Sequence, residues 1–297
     1  MTHERPSARV RAVLKALFVT FLWSTSWVLV KIGLEGIPVL FFAGLRYVIA
    51  FFCLLVFTSR SGRLARVGSL SPKAWMTLSV LGVLFYSVTQ GAVYLSLTYL
   101  PATTTSLLLS LTPVVVALLG IVLLKEQPTT MQWCGVCLYL VGVSLYFYPI
   151  AALRSEIVGL AVVGVAVLAN ALSSILGRHI NRSGELEPMT VTVVSMGSGG
   201  ILLFLGGLIP QGFPHLTLMQ WAIILWLAIV NSALAFTLWN ATLRVLSATE
   251  SSIINNTMLF QIAVLAWAFL GERLSGPEML GMMVAAVGTL VVQVRRR

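Results

Sequence analysis

The residues of this chain best able to do chemistry are the polar side chains placed deep inside long apolar runs. Burying them costs free energy unless they have a partner or face water. Gln90, Asn170, Asn240 and the pair Asn255-Asn256 each interrupt such a run. A carboxamide presents two donors and an acceptor, which suits it to the polar head of a small solute. Trp23, Tyr86 and Trp239 lie in the same runs and could wall the apolar part of that solute. Packing of helix against helix is the alternative for both groups. It is the expected role for each single Ser or Thr, since hydroxyls bond back to their own helix or join neighbours.

Glu250 stands about one turn into its run. A carboxyl group desolvated there is the leading proton carrier in the chain. The competing reading is a helix N-terminal carboxylate, stabilised by the helix dipole and paired with Arg244. Arg46 lies about two turns into the second run, where snorkelling or pairing with Glu35 is expected ahead of a hold on a substrate carboxylate. Lys31 closes the first run and Arg178 the sixth, at matching places, which points to gating or structural roles. Glu126 and Glu272 close the fourth and ninth, where capping or pairing at short turns is expected. Pro113 breaks the fourth run. The carbonyls it frees could bind substrate, serve a hinge, or belong to a passive kink.

Other chemistry is excluded. The chain has no aspartate, and its histidines are His3, His179 and His215. Catalytic triads and aspartyl-phosphate chemistry therefore have no parts here, and no Walker motif is present. Gly197-Ser198-Gly199-Gly200 follows no strand, so these glycines read as close approaches of helix backbones. Cys53, Cys134 and Cys137 fall inside apolar runs and read as buried thiols, with no metal or redox role. No enzyme activity, metal or cofactor is expected.

These residues need elements to hold them, and composition names the elements. Hydrophobic residues make up 58% of the 297 and charged residues 9%, the composition of an integral membrane protein. Runs of about 20 apolar residues, the length that crosses a bilayer, cover 11–31, 39–58, 75–98, 101–124, 129–149, 157–178, 188–209, 219–243, 247–270 and 275–294. The spans that carry the polar clusters, first, third, fourth, sixth, eighth and ninth, are expected around a cavity, with the others, poorer in amides, outside. The net charge of +10 does not describe a nucleic-acid footprint. With the N-terminus inside, fifteen Lys and Arg fall on the inner side and four on the outer. This positive-inside bias predicts cytoplasmic termini and contact with anionic lipid heads. The basic N-terminal stretch reads as the start of an uncleaved first helix.

The ten spans are two copies of one unit. A shift of 146 positions, from Ala102 to Ala248, lays Ser106 on Ser252, Gly135 on Gly281, Gly142 on Gly288 and Glu126 on Glu272. Five spans is an odd number, so the second copy must enter the membrane from the opposite side. The expectation is an all-α membrane protein of ten transmembrane helices, as two inverted five-helix repeats over 1–149 and 150–297. The paired glycines predict flat seams for tight packing in the fifth and tenth helices.

Several stretches together resemble the ten-helix EamA-type branch of the drug/metabolite transporter superfamily. They are Trp23-Ser24-Thr25-Ser26 with Lys31, Arg46 with Ala50, Leu100-Pro101-Ala102, Leu111-Thr112-Pro113 and Leu124-Lys125-Glu126. In the second copy they are Ala248 to Ser252 and Leu270-Gly271-Glu272-Arg273-Leu274. Thr25, near a usual small residue, and Leu259, in place of the second-copy proline, depart from the pattern. The resemblance implies a secondary transporter in the bacterial inner membrane, working by alternating access and exporting amino acids or related metabolites. Its partners would be a small-molecule substrate and the lipid bilayer, with no nucleic acid and with a homodimer compatible. The alternatives are another cargo (a sugar, a nucleotide-linked metabolite or a cationic drug) and a non-transporting membrane scaffold.

Overall fold

The computed structural model describes residues 6–60, 68, 70–124, 129–148, 156–183, 186–242, 245–246 and 248–293. Glu126, Arg244 and the side chain of Asn240 lie outside the described residues. The described chain is helical and contains no strand. In order, the elements are α1 (Pro6–Gly33), α2 (Val39–Arg60), α3 (Pro72–Gly82), a π-helical segment (Val83–Thr89) and α4 (Gln90–Ser96). Then come α5 (Ala102–Leu109), α6 (Thr112–Leu124), α7 (Thr130–Tyr146), α8 (Ile157–Ser183), α9 (Pro188–Gln211) and α10 (Leu218–Ala228). A second π-helical segment (Ile229–Leu234) leads to α11 (Ala235–Thr242), α12 (Ala248–Leu270) and α13 (Gly276–Gln293). Among the described residues, eight helices are long and apolar enough to cross a membrane, and Thr130–Tyr146 and Leu218–Leu234 are shorter apolar helices. Phe52, Phe57, Trp133, Leu168, Val264 and Trp267 are exposed, as helix faces turned to acyl chains should be.

The two-copy organisation shows in the local chemistry that starts each helix. Ser71 caps α3 by accepting from the N–H of Ala74, and Thr217, at the matching place, caps α10 in a full capping box with Gln220. Thr129 and Gln132 form the same box on α7. At the matching start of α13, the Glu278 carboxylate accepts from the N–H of Ser275 at 2.6 Å. Each satisfies donors that a helix leaves unpaired at its N-terminus. The π-helical segments begin at Val83 and Ile229, 146 positions apart like Ala102 and Ala248. Each segment has a hydroxyl bonded five residues back, Thr89 to the Leu84 carbonyl and Ser232 to the Leu227 carbonyl.

Helix contacts sort the chain into two units, each drawing on both sequence halves. The first gathers Met1–Leu29, Leu100–Val158 and Leu234–Arg297; the second gathers Val30–Tyr99 and Gly159–Ala233. In the first unit α7 and α13 pack along the predicted glycine seam. A Cβ on Gly288 would overlap the backbone of Tyr139, and one on Gly142 the backbone of Ala285. Leu107, Val136, Tyr139, Leu259, Met282 and Ala286 close the core beside the seam. In the second unit α2 and α9 make an equally tight pair. Gly44 leaves no room for a Cβ against Phe204, nor Gly207 against Phe41, while Gly199 abuts the backbone of Gly82. Gly199 and Gly200 therefore mark backbone approaches, to Gly82 and Tyr47, as expected from the sequence, whereas Gly197 makes room for the Phe51 ring.

Two expectations are corrected. The second and seventh spans, set outside on the count of amides, are α2 and α9. Half of each central stretch is buried, against 28% for the amide-rich ninth span. Apolar side chains such as Phe41, Leu45, Val193 and Met196, together with the glycine contacts, carry that burial. Cys134 and Cys137 are not buried: both are exposed on α7, and Cys53 is half-buried. The inner face of α7 belongs to Gly135, Tyr139 and Gly142, which turns the cysteine stripe outward.

Candidate functional site

In the second unit the polar chemistry centres on Arg46. Its side chain is 6% exposed. Arg46 Nη1 donates to the hydroxyl of Tyr94 at 2.5 Å and Nε donates to Ser232 Oγ at 3.2 Å. Its guanidinium carbon lies 5.2 Å from the centre of the Tyr47 ring. Three elements converge there, α2, α4 and the second π-helical segment. Arg46 neither snorkels nor pairs with Glu35, as had been expected. Glu35 is exposed, and its backbone carbonyl accepts from Gln220 Nε2 at 2.9 Å. Arg46 lies on the side of α2 that meets α4 and the second π-helical segment, where Tyr94 and Ser232 receive it.

Tyr47 meets Tyr86 edge to face, with ring centres 5.2 Å apart. Tyr86 lines a cavity of about 200 Å³ together with Leu81, Phe85, Ser173, Ser174, Thr192 and Ser195. The π-helical turn places Phe85 and Tyr86 at this wall, the kind of local overwinding that recurs at functional sites. Asn170 sits one turn before Ser173 on α8, and its carbonyl accepts from the hydroxyls of Ser173 and Ser174. Gln90 is half-buried at the start of α4. Lys31 is half-buried near the end of α1 and Arg178 is exposed near the end of α8.

The first unit holds the remaining candidates. Trp23 stacks at 5.2 Å from Trp239 and 5.4 Å from Phe236, so two of the expected aromatic walls do meet. Below them, Ser24 donates to Gln261 Oε1 at 2.9 Å, and Gln261 Nε2 donates to Thr20 and Thr257. This network ties α1 to α12. Asn255 is exposed and Asn256 half-buried, and among the described residues Asn256 Nδ2 is buried without a partner. Glu250 takes its ion pair from Arg9 on α1, through both Nε and Nη2 of the guanidinium. Of the candidate amides, Gln90 and Asn170 belong to the second unit and Asn240, Asn255 and Asn256 to the first.

Pro113 does break its span. The chain leaves helix after Leu109 and re-enters at Thr112. The Leu109 carbonyl, which loses the N–H of residue 113, accepts from the Thr112 hydroxyl at 2.7 Å, and the Leu107 carbonyl accepts from the hydroxyls of Tyr139 at 2.8 Å and Ser110 at 2.6 Å as well as from the Ser110 N–H at 3.1 Å. Hydroxyls of the protein therefore bond to carbonyls beside the break, which the sequence offered to a substrate, a hinge or a passive kink. At the far end of α12, Gly271 adopts φ 69°, a left-handed turn that glycine makes without steric cost. Glu272 then reaches the start of α5, accepting from the N–H groups of Ala102 at 2.7 Å and Thr103 at 3.1 Å, and from the Thr103 hydroxyl at 2.9 Å.

Sequence reasoning passed over Tyr94 and Ser232 as partners of Arg46, and Thr192 and Ser195 as cavity residues. The available signal was a cation far from either end of an apolar run, which demands polar company. No group of three metal-binding side chains forms among the described residues.

A family model described as the EamA-like transporter family matches residues 10–148 and again 157–294. A "Probable amino-acid metabolite efflux pump" of Salmonella typhimurium is 26% identical, the alignment covering 93% of this chain and 92% of that protein. Protein PecM of Dickeya dadantii is 27% identical, with 76% of each chain covered. A crystal structure at 17% sequence identity superposes with a TM-score of 0.67, covering 95% of this chain and 97% of the other, which shows a shared fold.

Proposed function

The chain belongs to the EamA-like transporter family, and on that premise we propose that it is a secondary transporter of small organic solutes, exporting amino acids or related metabolites by alternating access. It is a multi-pass membrane protein, and its family is one of membrane transporters rather than enzymes. The efflux pump of Salmonella typhimurium supports the amino-acid reading by its similarity.

The observation that carries the proposal is polar chemistry held deep inside each unit of an apolar bundle. Arg46, Tyr94 and Ser232 supply it in one, and the buried Nδ2 of half-buried Asn256 in the other, with half-buried Trp23 and Trp239 as proposed apolar walls. A merely structural bundle gains little from such groups, because each is costly to desolvate. The hydroxyl-lined cavity of about 200 Å³ is smaller than the roughly 300 Å³ at which pockets for drug-sized ligands begin. That size favours metabolites over bulky drugs. The charge bias supports cytoplasmic termini and residence in the bacterial inner membrane. Tyr86, Gln90, Asn170, Asn240 and Asn255 remain proposed contacts. Glu250, with Arg9 as its partner, is the proposed proton-coupling group.

The test is uptake by proteoliposomes given a mixed panel of amino acids and neutral metabolites, read by mass spectrometry with and without a pH gradient. Selective, saturable accumulation is the expected result. Retained binding with lost pH dependence in Glu250→Gln supports coupling through that carboxyl group. An oriented, folded protein that moves no member of the panel would refute the transporter reading.

A further inference from the structure

The least expected feature of the second unit is a buried cation without an anion. Arg46 is 6% exposed. The groups that meet it are a tyrosine hydroxyl, a serine hydroxyl and a tyrosine ring. All three are neutral, and among the described residues no carboxylate contacts it. A guanidinium that served only to hold helices together would be neutralised by an acid, because an uncompensated charge far from water is expensive.

The hydrogen bonding leaves capacity for an anion. Nε and Nη1 are engaged by Ser232 and Tyr94, and Nη2 takes part in neither bond. The Tyr94 oxygen accepts from Nη1 and so keeps its own proton to give. Ser232 is anchored differently: it donates to the Leu227 carbonyl at 3.0 Å while accepting from Nε. Nη2 and the Tyr94 O–H are therefore two donors left for an anion, and a carboxylate has two oxygens to accept them. A planar guanidinium recognises that group by paired donors, where an ammonium acts as a point charge.

We propose that Arg46, with Tyr94, is the carboxylate-binding element of the transport site, so that the cargo is an organic acid or zwitterion whose carboxylate neutralises the buried guanidinium. This rests on the transporter reading and goes past it by naming the group that cargo must carry. Ser232 is a positioning residue that sets the guanidinium plane from the π-helical turn.

The experiment is counterflow into proteoliposomes of the full-length protein with a matched series: an amino acid, its carboxamide, its decarboxylated amine and the corresponding hydroxy acid. The same panel includes uncharged metabolites without a carboxylate. Acids are expected to move at least tenfold faster than the matched amide and amine. Arg46→Gln is expected to raise KM for the acid tenfold or more, with Arg46→Lys between it and the wild type. Tyr94→Phe should raise KM for the acid without changing kcat in proportion.

Equal transport of acid, amide and amine overturns the proposal, and so does an unchanged KM in folded Arg46→Gln. If Arg46→Gln fails to fold, selectivity of the wild-type protein across the series decides alone. Movement of uncharged solutes without preference for acids sinks this inference and leaves the transporter reading standing. No movement of any solute sinks both.

Discussion

Replacing Glu272 by glutamine removes a charge and one acceptor at the junction of α12 and α5. In the native arrangement one carboxylate oxygen accepts from the Ala102 N–H at 2.7 Å, and the other accepts from the Thr103 N–H at 3.1 Å and its hydroxyl at 2.9 Å. Glutamine keeps one acceptor oxygen and turns an NH₂ toward a backbone N–H, so one helix N-terminal donor loses its partner. A hydrogen bond to a charged group contributes about 1.5–3 kcal/mol. The carboxylate also stabilises the positive end of the α5 dipole by roughly 0.3–1 kcal/mol. Glu272→Gln should therefore cost about 2–3 kcal/mol, and Glu272→Ala about 3–4 kcal/mol by the same bonds. Thr103→Val, which removes only the hydroxyl, should cost about 1 kcal/mol. Reversible unfolding in mixed micelles, followed by tryptophan fluorescence, gives these differences. The double variant Glu272→Gln with Thr103→Val should show coupling of at least about 0.5 kcal/mol. A Glu272→Gln protein within about 0.5 kcal/mol of wild type would refute the claim that this carboxylate holds the start of α5.

Two further outcomes follow from the packing and the charges. Gly288→Val should abolish a monodisperse folded peak in detergent, because its side chain would displace the Tyr139 backbone. Gly164→Ala, with open space around it, should keep that peak and gain up to about 1 kcal/mol from helix propensity. The Arg9–Glu250 pair is 65% and 28% exposed, so Arg9→Ala should cost below about 1 kcal/mol. That cost should shrink further at high salt in the same unfolding assay.

Much of the fold was legible because its causes are local. Apolar run lengths placed ten spans within a few residues of the observed helices, and the repeat placed the glycines of the α7–α13 seam. Even the break before Pro113 follows from one residue's missing N–H. The site was less legible. Arg46 was read as a surface or Glu35-paired cation, since the sequence shows how deep a residue lies in its run but not which way it faces. The cysteines failed for the same reason: an apolar helix has two faces, and in a bilayer both are apolar. Tyr94 and Ser232 lie 48 and 186 positions from Arg46. No local pattern links residues so far apart.

The sequence by itself determined a helical membrane protein written twice, because hydrophobic length and N-terminal caps act within a turn or two of each residue. Tertiary structure alone decided that Arg46 meets two hydroxyls and, among the described residues, no acid, and that Glu272 caps α5. It also decided that the Tyr139 hydroxyl donates to the Leu107 carbonyl beside the break at Pro113. Those outcomes depend on which helix backbones approach, and that is set by glycine contacts between segments far apart in the chain.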